Sequence, residues 1–429
     1  MKQFLKKIII VLIQWEAILV LKKYKPQIIA VTGSVGKTST KDAIFTVLSS
    51  KFFVRKSEKS FNSDVGVPLT ILGCKNAWNN PFLWAKNLLE GFALLILKNH
   101  YPKWLVLEVG ADRPGDIRKL ARWLKPDVVV ITALPDVPVH VEFFDSPEDV
   151  AAEKEELVKT LKENGVLVLN NDDEKVRAIA ARYRRLPITF GFLRSSLFSA
   201  SHERIVIKKG IPQGMSFRVD SGGSSVPVTI MGALGKQHVY PALAACAVGS
   251  SQGLDMATMA GALSAHETPQ GRMKILTGIK KTTVIDDTYN SSPAAVHEAL
   301  AVMAELHTEG RKIAVLGDML ELGQYSVEEH KKVGQHVAET ISILFVVGIR
   351  ARDITRSALE HGMDENKIFQ YEDSARAGKE LELMLEEGDI ILVKGSQSMR
   401  MEKAVLEIMA EPEQAGELLV RQNPEWLAR

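Results

Sequence analysis

At 429 residues, 46% hydrophobic and 25% charged, the chain is too long for one ordinary core and has the composition of a globular protein of two or three domains. Its 54 basic and 52 acidic residues sum to +2, which gives no reason to expect a nucleic-acid surface. Only two cysteines occur, Cys74 and Cys246, far apart and without neighbours at zinc-ligand spacing, which argues against a disulfide scaffold and fits a reducing cytoplasm.

In chain order, the first feature is the apolar run IIIVLIQWEAILVL at residues 8–21, with Lys6 and Lys7 before it and Lys22, Lys23 and Lys25 after it. Those lysines replace the small-residue site at which a signal peptide is cut. As a helix the run would rise roughly 21 Å, short of the ~30 Å hydrocarbon core, and it contains Gln14 and Glu16, so a spanning helix is not expected. Two readings stand: a helix packed on the domain or on a partner, and a lysine-flanked helix lying on the inner membrane surface through residues 4–25.

Next comes VTGSVGKTST at residues 31–40. The full phosphate-loop pattern has a glycine five places before Gly36, where Val31 stands here; the first glycine is Gly33. The context still suits phosphate. A β-branched run precedes the loop and a helix-like stretch opening on hydroxyl residues follows. Backbone amides over Gly33, Ser34, Val35 and Gly36, with Ser39 at the start of the helix, can donate to phosphate oxygens. Lys37 adds a point charge, and Thr38 can offer its hydroxyl to magnesium. The alternative is a purely structural glycine turn.

From Lys25 onward, short apolar runs alternate with amphipathic stretches of helix length, the pattern of a parallel sheet with crossover helices. QIIAVTG, WLVLEVG, DVVVITAL and GVLVLN read as buried strands. Residues 187–235 change to short antiparallel strands with glycine and serine turns, expected as a small β insert closing the first domain. A helical stretch follows, then HETPQGRMK as a hinge. The alternation restarts with TTVIDD, KIAVLGDM, ILFVVG and DIILVKGS. The expected organisation is a segment 1–26, a nucleotide-binding α/β domain 27–270 and a Rossmann-like α/β domain 271–429.

The short loop GSVGKTS resembles that of the Mur ligases, the ATP-dependent amide-forming enzymes of peptidoglycan precursor synthesis. Further blocks in the family's order carry the resemblance: SFNSDVGVPLTIL (60–72), LEVGADRPGDI (107–117), HVEFFDSPEDVAAEKEEL (140–157), LNNDD (169–173), Gly271-Arg272, IDDTYNSSPAAV (285–296), VLGDMLELG (315–323) and LVKGSQSMRME (392–402). The DDTYN and LGDM blocks resemble the branch that adds D-alanyl-D-alanine to a muramoyl-tripeptide. The implied enzyme is cytoplasmic and monomeric, uses ATP and two magnesium ions, and first phosphorylates a carboxylate so that an amine can attack it.

The resemblance implies roles at individual positions. Thr38 and Glu108 would hold the magnesium between the β and γ phosphates, and His140 would serve a second one. Lys154 would be carbamylated, although a lysine among Glu153, Glu155 and Glu156 also reads as a solvated helix face. A loop histidine is the plain reading of His140; Glu108, following an apolar strand, is costly there without a cation. Arg272 would reach the phosphates when the domains close. Asp287 would contact the ribose with Asp286 in support, the alternative being a cap or turn. Tyr289, Asn290, Lys394 and Ser396 would position the acceptor.

Two departures accompany the resemblance. Family members begin with a domain that grips uridine diphosphate, whereas only 26 residues precede the first strand here. Another surface or protein is therefore expected to hold the donor, or the donor differs, a membrane-held one suiting the apolar segment. GKQHVYPALAA (235–245) also departs from the usual asparagine-containing pattern, which leaves the adenine contacts open. Rival readings are a ligase of the same fold with another donor or acceptor, and a noncatalytic nucleotide-binding partner of cell-envelope enzymes.

Overall fold

The computed structural model describes residues 2–58, 61–183 and 186–427, with side chains from Ile8 onward. Ser60 and the side chains of Phe4 to Lys7, which fall in segments singled out above, lie outside the described residues.

Helix α1 (Lys2–Tyr24) leads into β1 (Gln27–Thr32) and α2 (Lys37–Ser49). The chain continues through β2 (Val54–Lys56), α3 (Gly66–Leu72), α4 (Pro81–Ile96), β3 (Trp104–Glu108), α5 (Asp116–Leu124), β4 (Val128–Ile131), α6 (Pro147–Lys159), β5 (Val166–Asn170), α7 (Glu174–Arg182) and β6 (Ile188–Gly191). These six strands are parallel, in the order β2-β3-β1-β4-β5-β6. Residues 28–32 of β1 and all of β3 and β4 are buried because helices cover both faces, which is why they read as unbroken apolar runs. On one face α1, α3, α5, α6 and α7 form a core with Leu69, Ile117, Leu157 and Val176. On the other, α2 packs with Ala43, Ile44 and Val47 against α8 (Lys236–Ser251) and α9 (Met256–Ser264).

The β segment after residue 187 extends this sheet instead of standing apart. β7 (Phe198–Lys208) joins β6 in parallel, and β8 (Ile211–Ser221) and β9 (Ser224–Met231) add antiparallel hairpins. The helical stretch at 240–263 divides between α8 and α9 at Gly253, whose φ of 78° suits glycine.

The N-terminal apolar run lies within α1, which packs on α3 and α4 through Ile13, Ala17 and Val20. Lys23 Nζ caps the end of α4 at the carbonyls of Leu94 (2.8 Å) and Leu97 (2.8 Å), and Tyr24 stacks on Tyr101. Among the described residues no helix is long and apolar enough to cross a membrane.

A second sheet begins at β10 (Lys274–Thr277) and β11 (Thr283–Asp287). It continues through α10 (Pro293–Glu305), β12 (Lys312–Gly317), α11 (Ser326–Thr340), β13 (Ile343–Val347), α12 (Arg352–Glu360), β14 (Ile368–Tyr371), α13 (Ser374–Met384) and β15 (Ile390–Lys394). Its order is β10-β11-β15-β12-β13-β14, parallel except for β10.

Candidate active site

In the first sheet β1 lies between β3 and β4, so the chain order changes direction there and a crevice opens at the carboxyl end of β1. The loop 33–36 fills that position. Gly33 has φ 143° and a Cβ on it would lie 2.0 Å from Thr132 Oγ1; Gly36, with φ 84°, caps α2. The loop is pinned by Ser34 N donating to the Ala133 carbonyl (2.7 Å) and by Thr132 Oγ1 donating to the Val35 carbonyl (2.6 Å). The start of α2 therefore presents free amides at a fixed place.

Lys37 and Thr38 open α2. Burial lowers the Lys37 ammonium from its ordinary pKa, and nearby Glu108 works against that shift. Thr38 Oγ1 donates to Glu108 Oε2 at 2.9 Å, and Asn62 Nδ2 donates to Oε1 at 3.1 Å. Glu108 is 1% exposed at the end of β3, and its backbone N–H donates to Ser57 Oγ at 3.2 Å. A buried carboxylate beside a threonine hydroxyl at a phosphate loop is a hard oxygen donor set that suits magnesium completed by phosphate oxygens. Among the described residues no three His, Cys, Asp or Glu side chains form a cage by themselves.

His140 stands in the same cleft in a left-handed conformation with φ 71°. Its Nδ1 is 2.5 Å from Glu321 Oε2, on the second sheet's side, and its Nε2 is 3.6 Å from Asp112 Oδ1. The bond from His140 holds the Glu321 carboxyl below its usual range. Glu142 N donates to the Glu321 carbonyl at 3.3 Å, so the two α/β units touch at this point.

Lys154 does not lie on a solvated face. Its neighbours take other partners: Glu153 accepts from the N–H groups of Gly115 (2.9 Å) and Arg118 (3.0 Å), Glu155 pairs with Arg182, and Glu156 with Lys159. Lys154 itself is 3% exposed, and burial, then the charge of Lys37, lowers its pKa from 10.5 to about 7. A substantial neutral fraction at neutral pH follows, and the neutral amine is the form that can add carbon dioxide.

Arg272 reaches back from the hinge. Its Nη2 donates to Thr38 Oγ1 at 3.3 Å, and its guanidinium lies 4.1 Å from the Tyr289 ring centroid. Tyr289, Asn290 and Ser396 line one cleft of about 640 Å3 together with Lys37, Thr38, Glu108, His140 and Arg272. Lys394 is placed differently from these acceptor candidates. Buried at the end of β15, it donates to Asp287 Oδ2 (2.6 Å) and to the Asn290 carbonyl (3.0 Å), beside the phosphate loop. Asp287 also accepts from Met273 N at 3.2 Å, and Asp286 is held by the Thr288 hydroxyl and amide. Burial raises the Asp286 carboxyl to about 6.

Behind the loop a further cavity of about 240 Å3 is lined by Gly36, Thr40, Asn170, Phe190, Gln237 and Tyr240. Gln237 and Tyr240 belong to the stretch that departs from the family pattern, and Tyr240 Oη donates to Asp172 at 2.9 Å. His238 is buried, with Nε2 2.9 Å from the Arg272 carbonyl, and burial lowers its pKa to about 4.

Sequence reasoning did not single out Asn62, Glu321 or Arg421. The first two lay inside the quoted blocks SFNSD and LELG. Arg421 lies outside every block; it bonds Glu402 (2.8 Å) and the carbonyls of Thr288 (3.1 Å) and Tyr289, fixing the strand end that carries Tyr289.

Residues 87–249 match the Mur ligase middle domain, and residues 271–397 match the Mur ligase, glutamate ligase domain. The chain is similar to the UDP-N-acetylmuramoyl-tripeptide–D-alanyl-D-alanine ligase of Bacillus subtilis, at 28% identity over 91% of this chain and 78% of that protein. It is 30% identical to the ligase of the same name from Mycobacterium leprae, over 87% of this chain and 71% of that one. The structure of MurF ligase from Thermotoga maritima in complex with ADP superimposes with a TM-score of 0.75 at 26% identity, covering 94% of this chain and 84% of the other. The chain belongs to the Mur ligase family of ATP-dependent peptide ligases.

Proposed function

We propose that the protein joins the free carboxylate of a muramoyl-tripeptide precursor to the amine of D-alanyl-D-alanine at the expense of ATP. The observation that carries this reading is the single cleft in which Lys37, Thr38 and Glu108 of one α/β unit meet Arg272, Tyr289 and Ser396 of the other. The two functional domains are taken as 27–270 and 271–429.

The ATP phosphates lie along the loop amides of Gly33, Ser34, Val35 and Gly36 and the start of α2 at Ser39, with the base in the cavity lined by Phe190, Gln237 and Tyr240. Asp287 faces the ribose and is kept in place by Lys394. Lys37 and Arg272 offset charge on the β and γ phosphates. A donor carboxylate oxygen attacks the γ-phosphorus and ADP leaves, giving an acyl phosphate. The dipeptide amine then attacks the acyl carbon, phosphate departs and the nitrogen loses a proton. Two magnesium ions, one held by Thr38 and Glu108 and one served by His140 and carbamylated Lys154, would supply charge neutralisation at the phosphoryl oxygens. Glu321 orients the His140 ring across the cleft, so this histidine is correctly aimed only when the two units are together. Tyr289, Asn290 and Ser396 form the wall against which the acceptor is positioned. The enzyme acts as a monomer on the cytoplasmic side, with residues 4–25 at the membrane surface.

The test is phosphate release from ATP with the nucleotide-linked tripeptide, with and without D-alanyl-D-alanine. Release that needs both substrates is the expected result. Turnover only with another amino acid would assign a different acceptor. Nucleotide binding without turnover on any donor would leave a binding partner instead of an enzyme.

A further inference from the structure

Helix α4 turns large apolar side chains outward, an arrangement unsuited to a helix surrounded by water. The residues it buries are Trp84, Asn87, Gly91 and Leu94, half of them without an apolar side chain. The residues it turns outward include Phe82 at 84% exposure, Leu89 at 70% and Ile96 at 64%, with Phe92 between them. Their spacing of seven, three and four residues places them along one side of the helix. Asn80 and Pro81 start the helix cleanly, Asn80 Oδ1 accepting from Phe82 N (3.0 Å), and Lys23 caps its other end. The exposed stripe is thus part of a well-formed element. Helix α1, packed against α4, adds Val11 at 63% and Trp15 at 56%. Its contact with α4 is close: a Cβ at Gly91 would lie 2.2 Å from Glu16 Oε2.

Charge says what covers this face. Residues 1–26 and 73–103, which contain both helices, hold ten lysines against two glutamates, a net +8. The whole chain sums to only +2, so the remainder carries −6. Lys22, Lys25, Lys86 and Lys98 are exposed around the apolar stripes. A second copy seated face to face would bring +8 against +8. An anionic bilayer surface offers both an apolar interior for phenylalanine, leucine and tryptophan side chains and headgroup charge for lysines.

We infer that the α1–α4 pair is a peripheral membrane-docking surface for anionic phospholipid, with the α4 stripe as its principal inserting edge. This deepens the proposed surface association of residues 4–25 by naming the lipid class and a second, larger contact element. Neither helix needs to span.

The experiment uses the full-length protein without nucleotide, sedimented with vesicles of phosphatidylcholine alone or of phosphatidylcholine containing phosphatidylglycerol. Binding to the anionic vesicles is expected, at least tenfold weaker on neutral vesicles and weakened by added salt. The combined variant Phe82→Ser, Leu89→Ser and Phe92→Ser should lose at least tenfold in vesicle binding while keeping its melting temperature and its ATP turnover on a soluble donor. No binding, equal binding to both vesicle types, or an unaltered triple variant would overturn the inference. So would a dimer seen by light scattering that the triple variant dissolves, since a second copy would then occupy the face. Vesicle binding without turnover would leave this inference standing and sink the ligase reading; the reverse result would do the opposite.

Discussion

Replacing Lys154 by methionine should make the protein more stable and less active. The side chain is 3% exposed and its pKa falls from 10.5 to about 7 on folding, because burial disfavours the ammonium. A depressed lysine costs stability wherever the unfolded chain is protonated. Below pH 7 both states bind the proton and the cost is complete. Between pH 7 and 10.5 the unfolded state alone binds it, so stability rises with pH across that window; above 10.5 the cost is gone. At about 1.4 kcal/mol per unit the penalty near neutral pH is on the order of 4–5 kcal/mol. Methionine has similar length and no charge, so Lys154→Met should recover much of this. Melting curves in carbon-dioxide-free buffer from pH 6.5 to 9.5 would read it: the variant melts several degrees higher at pH 7, and the gap narrows as pH rises. Phosphate release with both substrates should meanwhile fall by about a hundredfold or more. If the variant is less stable at pH 7, or if the gap does not depend on pH, Lys154 is not a buried, destabilised amine and its proposed carbamylation loses its physical basis.

Three further changes probe the cleft. Arg272→Ala removes both the bond to Thr38 and the stack on Tyr289, and should lower kcat by about a hundredfold while ATP binding, measured by calorimetry, changes much less. Gly33→Ala forces a Cβ to within 2.0 Å of Thr132 Oγ1 at a φ of 143°. About 1–3 kcal/mol of destabilisation and a loss of nucleotide affinity should follow, read by melting with and without ATP. Glu321→Gln keeps the shape of the His140 contact without its charge; turnover should drop about tenfold with unchanged ATP affinity, and unchanged turnover would detach that contact from catalysis.

The α/β organisation was legible because β1, β3, β4 and β5 are covered on both faces and so appear as apolar runs at regular intervals. The shorter strands β2, β6, β10 and β14 were not, since runs of three or four residues carry too little pattern, and all of them but β6 lie at a sheet edge. Positions marked by local motifs were also legible: the glycine loop leads directly to Lys37 and Thr38, a carboxylate ending a buried strand leads to Glu108, and all three line one cleft. Residues whose role depends on contact across the cleft were harder. The resemblance offers Lys394 as an acceptor group, whereas its pairing with Asp287 beside the phosphate loop is a contact between strand ends that no local pattern announces. Nothing local to Arg421 announces that it clamps the carbonyl of Tyr289.

The same distinction explains why α1 drew attention from sequence and α4 did not. In α1 the lysines at both ends frame an apolar run, and composition alone exposes the oddity. In α4 the run PFLWAKNLLEGFALLI is apolar on nearly every side, so periodicity cannot say which side meets the core. Packing decides it: α1 makes a close approach at Gly91, which turns Asn87 and Gly91 inward together with Trp84 and Leu94 and leaves Phe82, Leu89, Phe92 and Ile96 facing out. The apolar surface at α4 is therefore a consequence of how α1 docks, and neutralising Glu16 should expose the dependence. Glu16 is buried without a hydrogen bond to Oε2, and burial raises its carboxyl to about 7. Glu16→Gln, which removes the ionisable group and keeps the size, should stabilise the α1–α4 contact above pH 7, where the native carboxylate is fully costly, less so between pH 7 and 4.5, and change little below pH 4.5. Hydrogen exchange of the α4 amides at the two pH values reads the effect. Protection that is the same for both proteins at high pH would show that α4 is held in its orientation without α1.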